Sequence, residues 1–448
     1  MEKDNKKIVE WMKSIYWGAL SILLILQNGC TPVAERKEDI KTDEKRMEWF
    51  ADAKLGIFIH WGIYAVNGTS ESWSFYNGQT TYEEYMSQAG GFKAENYYPE
   101  KWVKLIKESG ARYTVLTTKH HDGFALWNTE AGTLSSVKSA PAGRDLLSGF
   151  ADAVRAEGLK LGFYYSLIDW YRDDCPRGRT GLGTGRPGTA ISYERYYDFM
   201  KRQLTELLTG YGPVGAIWFD GVWDQDRNPD FDWKLRGLYD HIHAIRPACL
   251  VGNNHHLVPF EGEDIQIFER DLPGENTAGL SGQEIGRLPL ETCQTMNGMW
   301  GYKITDLDYK SSKTLIHYLV RAAGRNGNLL LNIGPQPDGK LPATAVERLR
   351  EMGEWLARYG ESIYGTRGGD IPPHDWGVTT RKGDKLYVHV LDLQDDALYL
   401  PLAEKVGEAR CLNNGERVKF DTLRGKGIVL NLEHVPEDTD RIIELTLR

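Results

Sequence analysis

The sequence has 448 residues, of which 41% are hydrophobic and 11% are aromatic. This length fits one large domain plus a smaller one, and the composition is that of a globular protein with a sizeable core. The formal net charge of −9 argues against a surface that binds nucleic acid or anionic lipid. The five cysteines are scattered, with no CxxC pair and no zinc-ligand spacing, so neither a disulfide framework nor a zinc module is expected.

The amino terminus has the pattern of an export signal. Several lysines precede an apolar segment at residues 15–26, which is too short for a comfortable membrane span. It ends at Gly29-Cys30, which resembles a bacterial lipoprotein signal, although Leu26 lies four residues before the cysteine instead of three. We predict a signal peptide at 1–30, a lipid anchor at Cys30, a polar tether at 31–43, and export to the periplasm or to the bacterial membrane as a lipoprotein. The alternative is ordinary cleavage that removes Cys30.

Short apolar runs alternate with helical patterns between residues 44 and 365. This alternation predicts an α/β fold, a (β/α)8 TIM-like barrel. No convincing helix separates the runs between Leu250 and Leu290, so the barrel is expected to be distorted there. The predicted strands are 55–61, 113–119, 161–167, 216–220, 250–253, 265–269, 290–295 and 329–333, and the predicted helices are 99–109, 144–157, 193–209, 232–245, 313–324 and 343–359.

The character of the chain changes after Gly369. Short alternating runs at 385–391, 397–400, 427–432 and 441–447 are separated by glycines and by Asn-Asn-Gly at 413–415, which predicts a small antiparallel β-sandwich at 366–448. This region carries no cluster of catalytic residue types, so we assign it a packing role against the barrel.

Polar side chains gather where the predicted barrel strands end. His60, the pair His120 and His121, and the carboxylates Asp220 and Glu269 all occupy such positions. The carboxyl ends of parallel strands face the active site of a barrel, so these groups are candidates for catalysis and binding. For Asp220, which Gly221 follows at once, the alternative is a carboxylate that caps the next turn.

Neutral imidazole, phenol and indole groups with few fixed cations suit an uncharged ligand that carries many hydroxyl groups. Two carboxylates suit cleavage of a glycosidic bond, one as the nucleophile and one as the acid/base. A metal-dependent hydrolase built on His60, His120, His121 and Asp220 is the first alternative, but the side chains of adjacent residues 120 and 121 diverge on a strand. A non-catalytic glycan-binding lipoprotein that kept the pocket is the second alternative.

Six motifs carry a resemblance to a known family. In order and spacing, the chain resembles an α-L-fucosidase of glycoside hydrolase family 29 over residues 44–365. The string at 119–124 is the most specific of them. The motifs are His60-Trp61-Gly62, Glu71-Ser72-Trp73, Lys119-His120-His121-Asp122-Gly123-Phe124, Trp218-Phe219-Asp220-Gly221, Glu291-Thr292-Cys293 with Trp300-Gly301-Tyr302, and Leu331-Asn332-Ile333-Gly334-Pro335.

The resemblance implies a retaining exo-glycosidase that needs no metal or other cofactor and removes terminal α-L-fucose from fucosylated oligosaccharides or glycoconjugates. It makes Asp220 the nucleophile and favours Glu269 as the acid/base, with Glu291 as the main alternative and Glu275 as a loop candidate. Many relatives carry an arginine after the fifth strand, where this chain has Asn253-Asn254-His255-His256, so either His255 takes that role or the subsite differs. The residues expected to bind substrate are His60, Glu71, Trp73, His120, His121, Tyr165, Trp218, His255 and Trp300.

The acid/base must hold a proton at the start of the reaction. We therefore expect burial, or the neighbouring Asp220 charge, to raise the pKa of Glu269. Arg270 opposes this expectation, because a cation beside the carboxyl group lowers its pKa.

Overall fold

A computed structural model of the chain describes residues 45–186 and 193–448. The predicted signal peptide, Cys30 and the tether lie outside these residues and stay predictions. Within the described ranges, none of the helices combines the length and the apolar character needed to cross a bilayer.

An eight-stranded parallel sheet forms the barrel. Its strands are almost wholly buried, as expected when both faces of a parallel sheet are covered, and they follow the apolar runs closely. The predicted (β/α)8-like fold is thus confirmed. The strands are β1 (Leu55–Ile59), β2 (Tyr113–Lys119), β3 (Lys160–Ser166), β4 (Ala216–Asp220), β5 (Leu250–Asn254), β6 (Gln266–Glu269), β7 (Leu290–Thr295) and β8 (Gly327–Ile333).

Helices cover most of the crossings between neighbouring strands. Each buries an apolar stripe, and Pro99 opens one of them at a position where its missing N–H costs nothing. The helices are α1 (Tyr82–Ser87), α2 (Pro99–Glu108), α3 (Leu147–Ala156), α4 (Tyr193–Gly210), α5 (Leu235–Ile245), α6 (Ser312–Gly324) and α7 (Ala343–Tyr359), with short 3-10 turns at Ile63–Ala65, Gln88–Gly91, Leu182–Thr184, Val222–Gln225 and Gly360–Ser362.

The barrel has a seam between β5 and β6. These two strands lie at the ends of the sheet order and meet through a single parallel bridge between Gly252 and Ile265. The described chain forms loops instead of helices between β5 and β6 and between β6 and β7. The expected distortion between Leu250 and Leu290 is therefore confirmed.

Two antiparallel sheets follow the barrel, in agreement with the predicted β-sandwich. They share a separate apolar core, although Val378, Tyr387 and Ile442 pack into the core of the barrel. The exact boundary at residue 365 stays a prediction. The five-stranded sheet contains β9 (Arg367–Gly368), β10 (Gly377–Lys382), β11 (Lys385–Val390), β13 (Val406–Cys411) and β16 (Arg441–Leu447), and the three-stranded sheet contains β12 (Ala397–Leu400), β14 (Phe420–Leu423) and β15 (Gly427–Asn431).

Candidate active site

The polar strand ends of the barrel line one cavity of about 250 Å³. Cavities that hold drug-sized ligands are larger, roughly 300–1,000 Å³, so this one suits a single sugar ring. Its floor is buried, whereas its walls are mostly partly exposed. The floor includes Phe58, His60, His120, Tyr164, Trp218 and Asp220, and the walls include Trp73, Arg179, Trp223, Asn254, His256, Glu269, Arg270, Leu280, Met299 and Trp300.

Asp220 ends strand β4 and points into the cavity. The next residue, Gly221, has φ of +108°, a conformation that favours glycine and turns the chain sharply after the carboxylate. This turn brings Trp223 close to the Asp220 side chain, and its Nε1 donates a hydrogen bond to Asp220 Oδ1 at 2.8 Å. The hydroxyl of Tyr164 donates to Asp220 Oδ2 at 3.0 Å. Two side chains therefore fix the orientation of this carboxylate.

Burial and the charge of Glu269 raise the pKa of Asp220 to about 6. The hydrogen bonds from Trp223 and Tyr164 act in the opposite direction, because they stabilise the ionised form. Below about pH 6 the pair Asp220 and Glu269 therefore holds a proton, and Asp220 is a free nucleophile in the molecules in which Glu269 carries that proton.

Glu269 ends strand β6 on the other side of the seam. Its Oε2 accepts hydrogen bonds from Asn254 Nδ2 at 2.8 Å and from His256 Nε2 at 3.0 Å. Burial alone raises the pKa of this carboxyl, but the His256 contact, the Asn254 amide and the Arg270 charge outweigh burial and lower it. The expected rise of the Glu269 pKa is thus wrong for the free protein, and the opposing effect of Arg270 is part of the reason.

Asn254 connects the two carboxylates. Its Nδ2 lies 3.5 Å from Asp220 Oδ1 and 2.8 Å from Glu269 Oε2. Retaining glycosidases hold their carboxyl groups about 5–5.5 Å apart, whereas inverting enzymes need about 6.5–9.5 Å. A single bridging amide fits the shorter spacing.

Three histidines surround the floor. His60 Nδ1 lies 2.6 Å from Asn332 Oδ1, and His120 stacks on Tyr164 with a centroid distance of 5.0 Å. Burial lowers the pKa of His60 to about 3 and that of His120 well below its usual value, so both imidazoles are neutral. His121 lies behind Asp220, where its Nδ1 contacts Ser166 Oγ at 2.6 Å and its Nε2 is 3.8 Å from Asp220 Oδ2.

Aromatic side chains form the walls. Trp73 stacks on Trp223 with a centroid distance of 5.3 Å and an interplanar angle of 21°. On the other wall Trp300 lies 5.2 Å from the His60 ring. The nearby Glu71 lines the same cavity, and burial raises its pKa. These rings offer flat apolar surfaces of the kind that the C–H faces of sugars contact.

Three predicted binding residues do not line the cavity: His121, which lies behind Asp220, and also Tyr165 and His255. The hydroxyl of Tyr165 donates to Gln203 Oε1 at 2.8 Å on helix α4, because this side chain points out of the barrel, and Tyr164 occupies the cavity instead. His255 Nε2 lies 3.1 Å from both oxygens of Glu263, and its neighbour His256 reaches the cavity. The predictions for Tyr165 and His255 are corrected to Tyr164 and His256.

Glu291, the alternative acid/base, lies beneath the floor. Its Oε1 accepts from Trp218 Nε1 at 2.8 Å, and its Oε2 accepts from the Tyr113 hydroxyl at 2.5 Å. Burial raises its pKa to about 7. Glu291 therefore holds Trp218 in place and does not line the cavity, whereas Glu269 does.

Glu275, the loop candidate, contacts Arg325 in a salt bridge of 2.5 Å and does not line the cavity either. Among the residues that the structure describes, no group of three or more His, Cys, Asp or Glu side chains is arranged to hold a metal ion. Of the four residues in the metal alternative, His60 and His121 contact Asn332 and Ser166, and Asp220 accepts hydrogen bonds from Tyr164 and Trp223.

Several cavity residues were absent from the sequence prediction, among them four that form hydrogen bonds with Asp220 or Glu269: Tyr164, Trp223, Asn254 and His256. Strand alternation contains the signal for Tyr164, because it pairs in register with Trp218 and so shares its face. Trp223 and His256 lie in turns after the strands, where alternation gives no information.

Comparisons with known proteins agree with this geometry. The family model described as alpha-L-fucosidase matches residues 27–361. An alpha-L-fucosidase of Dictyostelium discoideum is 30% identical over 422 residues, which cover 86% of this chain and 85% of the relative. The human tissue alpha-L-fucosidase is 27% identical over 427 residues, which cover 87% and 85%.

Solved structures extend the likeness to the fold. Alpha-L-fucosidase isoenzyme 1 from Paenibacillus thiaminolyticus is 36% identical, with a TM-score of 0.78 over 91% of this chain and 99% of that one. A family 29 enzyme from Bacteroides thetaiotaomicron, trapped as a covalent intermediate with 2-fluoro-fucosyl fluoride in a glutamate-to-glutamine mutant, is 25% identical, with a TM-score of 0.75 over 90% and 96%. Together with the family match, these likenesses show that the chain belongs to the α-L-fucosidase family, glycoside hydrolase family 29.

Proposed function

We propose that this protein is a retaining exo-α-L-fucosidase, which removes terminal fucose from fucosylated oligosaccharides or glycoconjugates. The observation that carries the proposal is the pair Asp220 and Glu269, joined by Asn254 in a cavity sized for one sugar ring. Family membership supports the choice of fucose as that sugar.

The reaction proceeds by double displacement. Asp220 attacks the anomeric carbon and forms a covalent glycosyl-enzyme, while Glu269 gives its proton to the departing oxygen. Glu269 then takes a proton from water, which attacks the same carbon and releases fucose with its original anomeric configuration. Trp223 and Tyr164 hold the Asp220 carboxylate in position throughout.

The rest of the cavity suits fucose in two respects. Neutral His60 and His120 can donate or accept hydrogen bonds from ring hydroxyls without placing a charge beside them. Fucose has a methyl group where most hexoses carry a hydroxymethyl group, and the face of Trp300 offers it an apolar surface. A pocket of this kind leaves a hydroxymethyl group without a partner and in contact with a ring.

A panel of aryl glycosides tests the proposed function. We expect release of nitrophenol from the α-L-fucoside and at most weak release from the α-galactoside, β-galactoside and α-mannoside. Proton NMR of the first product is expected to show α-L-fucose, which later mutarotates. Initial formation of the β anomer, or dependence of turnover on an added metal, would contradict the mechanism.

The pH profile gives a second prediction. Reaction needs Asp220 ionised and Glu269 protonated, so the pair must hold one proton in total. The pair loses that proton above about pH 6, because the pH then exceeds the raised pKa of Asp220 and because the pKa of Glu269 is lower still. We therefore expect kcat/KM to have an acidic optimum and an alkaline limb near pH 6.

Replacing His256 by asparagine checks the origin of that limb. His256 has φ of +64°, and asparagine tolerates this conformation. The replacement removes a contact that lowers the pKa of Glu269, so the pair keeps its proton to higher pH and the alkaline limb moves up. His434→Asn, at an exposed histidine of the carboxyl-terminal region, serves as the control. A limb that stays in place or moves down in His256→Asn would contradict this assignment.

We propose further that the protein is exported and anchored through Cys30. The lysine-rich start, the apolar segment at 15–26 and the Gly29-Cys30 pair support this proposal.

A further inference from the structure

Two arginines line the wall of the active-site cavity, although fucose itself is uncharged. Arg179 is paired with Asp226, from Nη1 to Oδ2 at 2.9 Å. Arg270 differs: among the described residues its guanidinium forms one hydrogen bond, from Nη2 to the Gly298 carbonyl at 3.2 Å, and no salt bridge. The remaining donors of Arg270 face the cavity wall, where they are available to a ligand group.

The Arg270 side chain is held in place from two directions. Its Cζ lies 5.1 Å from the centre of the Trp300 ring, a cation–π contact that keeps the guanidinium plane against the wall. Its backbone has φ of +64°, which is uncommon for a residue with a long side chain. Such strain is typical of functional positions, where the chain must place one side chain at a defined point.

Arg270 lies on the side of the cavity toward which the leaving group extends. It follows Glu269 directly, and Glu269 protonates the oxygen that joins fucose to the next sugar. The buried floor takes the fucose ring, so the next sugar extends past Glu269 toward the partly exposed wall. That wall contains Arg270, Gly298 and Met299.

We propose that Arg270 forms a subsite for an anionic substituent, a sulfate ester or a carboxylate, on the sugar that leaves. This inference rests on the proposed function and narrows its substrate class. The guanidinium presents planar paired donors that match two oxygens of either anion, and a neutral hydroxyl group uses only one of them. The Trp300 ring behind it restricts the approach to the cavity side.

Three disaccharides with one linkage test the proposal. They are fucosyl-galactose, fucosyl-galactose 6-sulfate and fucosyl-galacturonic acid, in the linkage that the enzyme cleaves best, so that the two anions replace the same neutral group. We expect kcat/KM to be about 10-fold higher for at least one anionic substrate than for the neutral one, mainly through KM. The two anionic substrates distinguish sulfate from carboxylate. The preference is expected to shrink between about 20 mM and about 0.5 M NaCl, because salt screens the charge.

Arg270→Asn removes the cation and keeps a residue that tolerates the backbone conformation. Each variant is measured at its own pH optimum, because loss of Arg270 also raises the pKa of Glu269. We expect the ratio of anionic to neutral kcat/KM to fall to about 1 in Arg270→Asn and to stay intermediate in Arg270→Lys. Arg417→Asn, an 85% exposed arginine far along the chain, is the control with an unchanged ratio.

Two results would overturn the subsite: equal kcat/KM for charged and neutral disaccharides in the unmodified enzyme, or a preference that survives in Arg270→Asn. Failure of the proposed function has a different signature, since none of the three fucosides would then be hydrolysed.

Discussion

Asp220→Ala is expected to lower kcat for an aryl α-L-fucoside by about 10⁴-fold, because the covalent intermediate can no longer form. Asp220 has both the orientation and the position of a nucleophile, because Trp223 and Tyr164 each hold one of its oxygens at the cavity floor. The measurement is the rate of nitrophenol release, together with circular dichroism to show that the variant is folded.

Azide provides the positive test of this assignment. The small anion can enter the space left by the Asp220 carboxylate and attack the anomeric carbon from the same face. We expect partial recovery of nitrophenol release and a β-L-fucosyl azide product, because a single displacement inverts the configuration. Asp230→Ala, at an exposed carboxylate of the following loop, is the control and is expected to retain activity. Normal turnover in Asp220→Ala would contradict the whole mechanism.

Glu269→Gln is expected to cost about 10²–10⁴-fold in kcat on a fucosyl disaccharide, whose leaving group needs a proton. The loss is expected to be smaller for an aryl fucoside with an acidic leaving group, for which the first step needs no proton. Azide is expected to accelerate breakdown of the glycosyl-enzyme in this variant. The alkaline limb near pH 6 is also expected to disappear, because the proton that defines it is gone.

Glu291→Gln is the matched control. Glu291 is protonated in the folded protein at acidic pH, since burial raises its pKa to about 7, and a neutral amide can still accept from Trp218 Nε1. We therefore expect kcat/KM within a few-fold of the unmodified enzyme. The opposite pattern, a large loss in Glu291→Gln and little loss in Glu269→Gln, would make Glu291 the acid/base.

The barrel strands were predictable because parallel strands are buried on both faces and leave near-continuous apolar runs. Strands β10, β13 and β14 were missed. Each contains several polar residues and is partly exposed, so its alternation is weak. Their positions depend on packing against partner strands, which a local pattern does not contain.

Strand depth explains the choice between the two glutamates. Glu269 pairs in register with Cys293, whereas Glu291 lies two residues earlier on β7, opposite Ile267. Both side chains point into the barrel, but Glu291 lies one layer deeper, below Trp218. The sequence places both glutamates in predicted strands. Only the register between β6 and β7 shows that their side chains lie at different depths in the barrel.

His256 and Arg270 could not be predicted as cavity residues. Each has a left-handed backbone conformation within two residues of the end of a strand, so the rule of alternating faces does not extend to them. The error at Tyr165, in contrast, was avoidable from the sequence, because Tyr165 lies within a regular strand. The register of β3 and β4 pairs Tyr165 with Phe219, which points outward, and alternation from Asp220 would have selected Tyr164.

The single bridge between Gly252 and Ile265 has a consequence for stereochemistry. Asp220 and Glu269 stand on opposite sides of that weakly joined seam, so no ladder of main-chain bonds fixes the gap between their carboxyl groups. The Asn254 amide spans the gap and so helps to set the distance between the two carboxyl groups. That distance decides whether Asp220 or a water molecule attacks the sugar. A shorter or bulkier residue at position 254 is expected to change that separation, and with it whether hydrolysis retains or inverts the anomeric configuration.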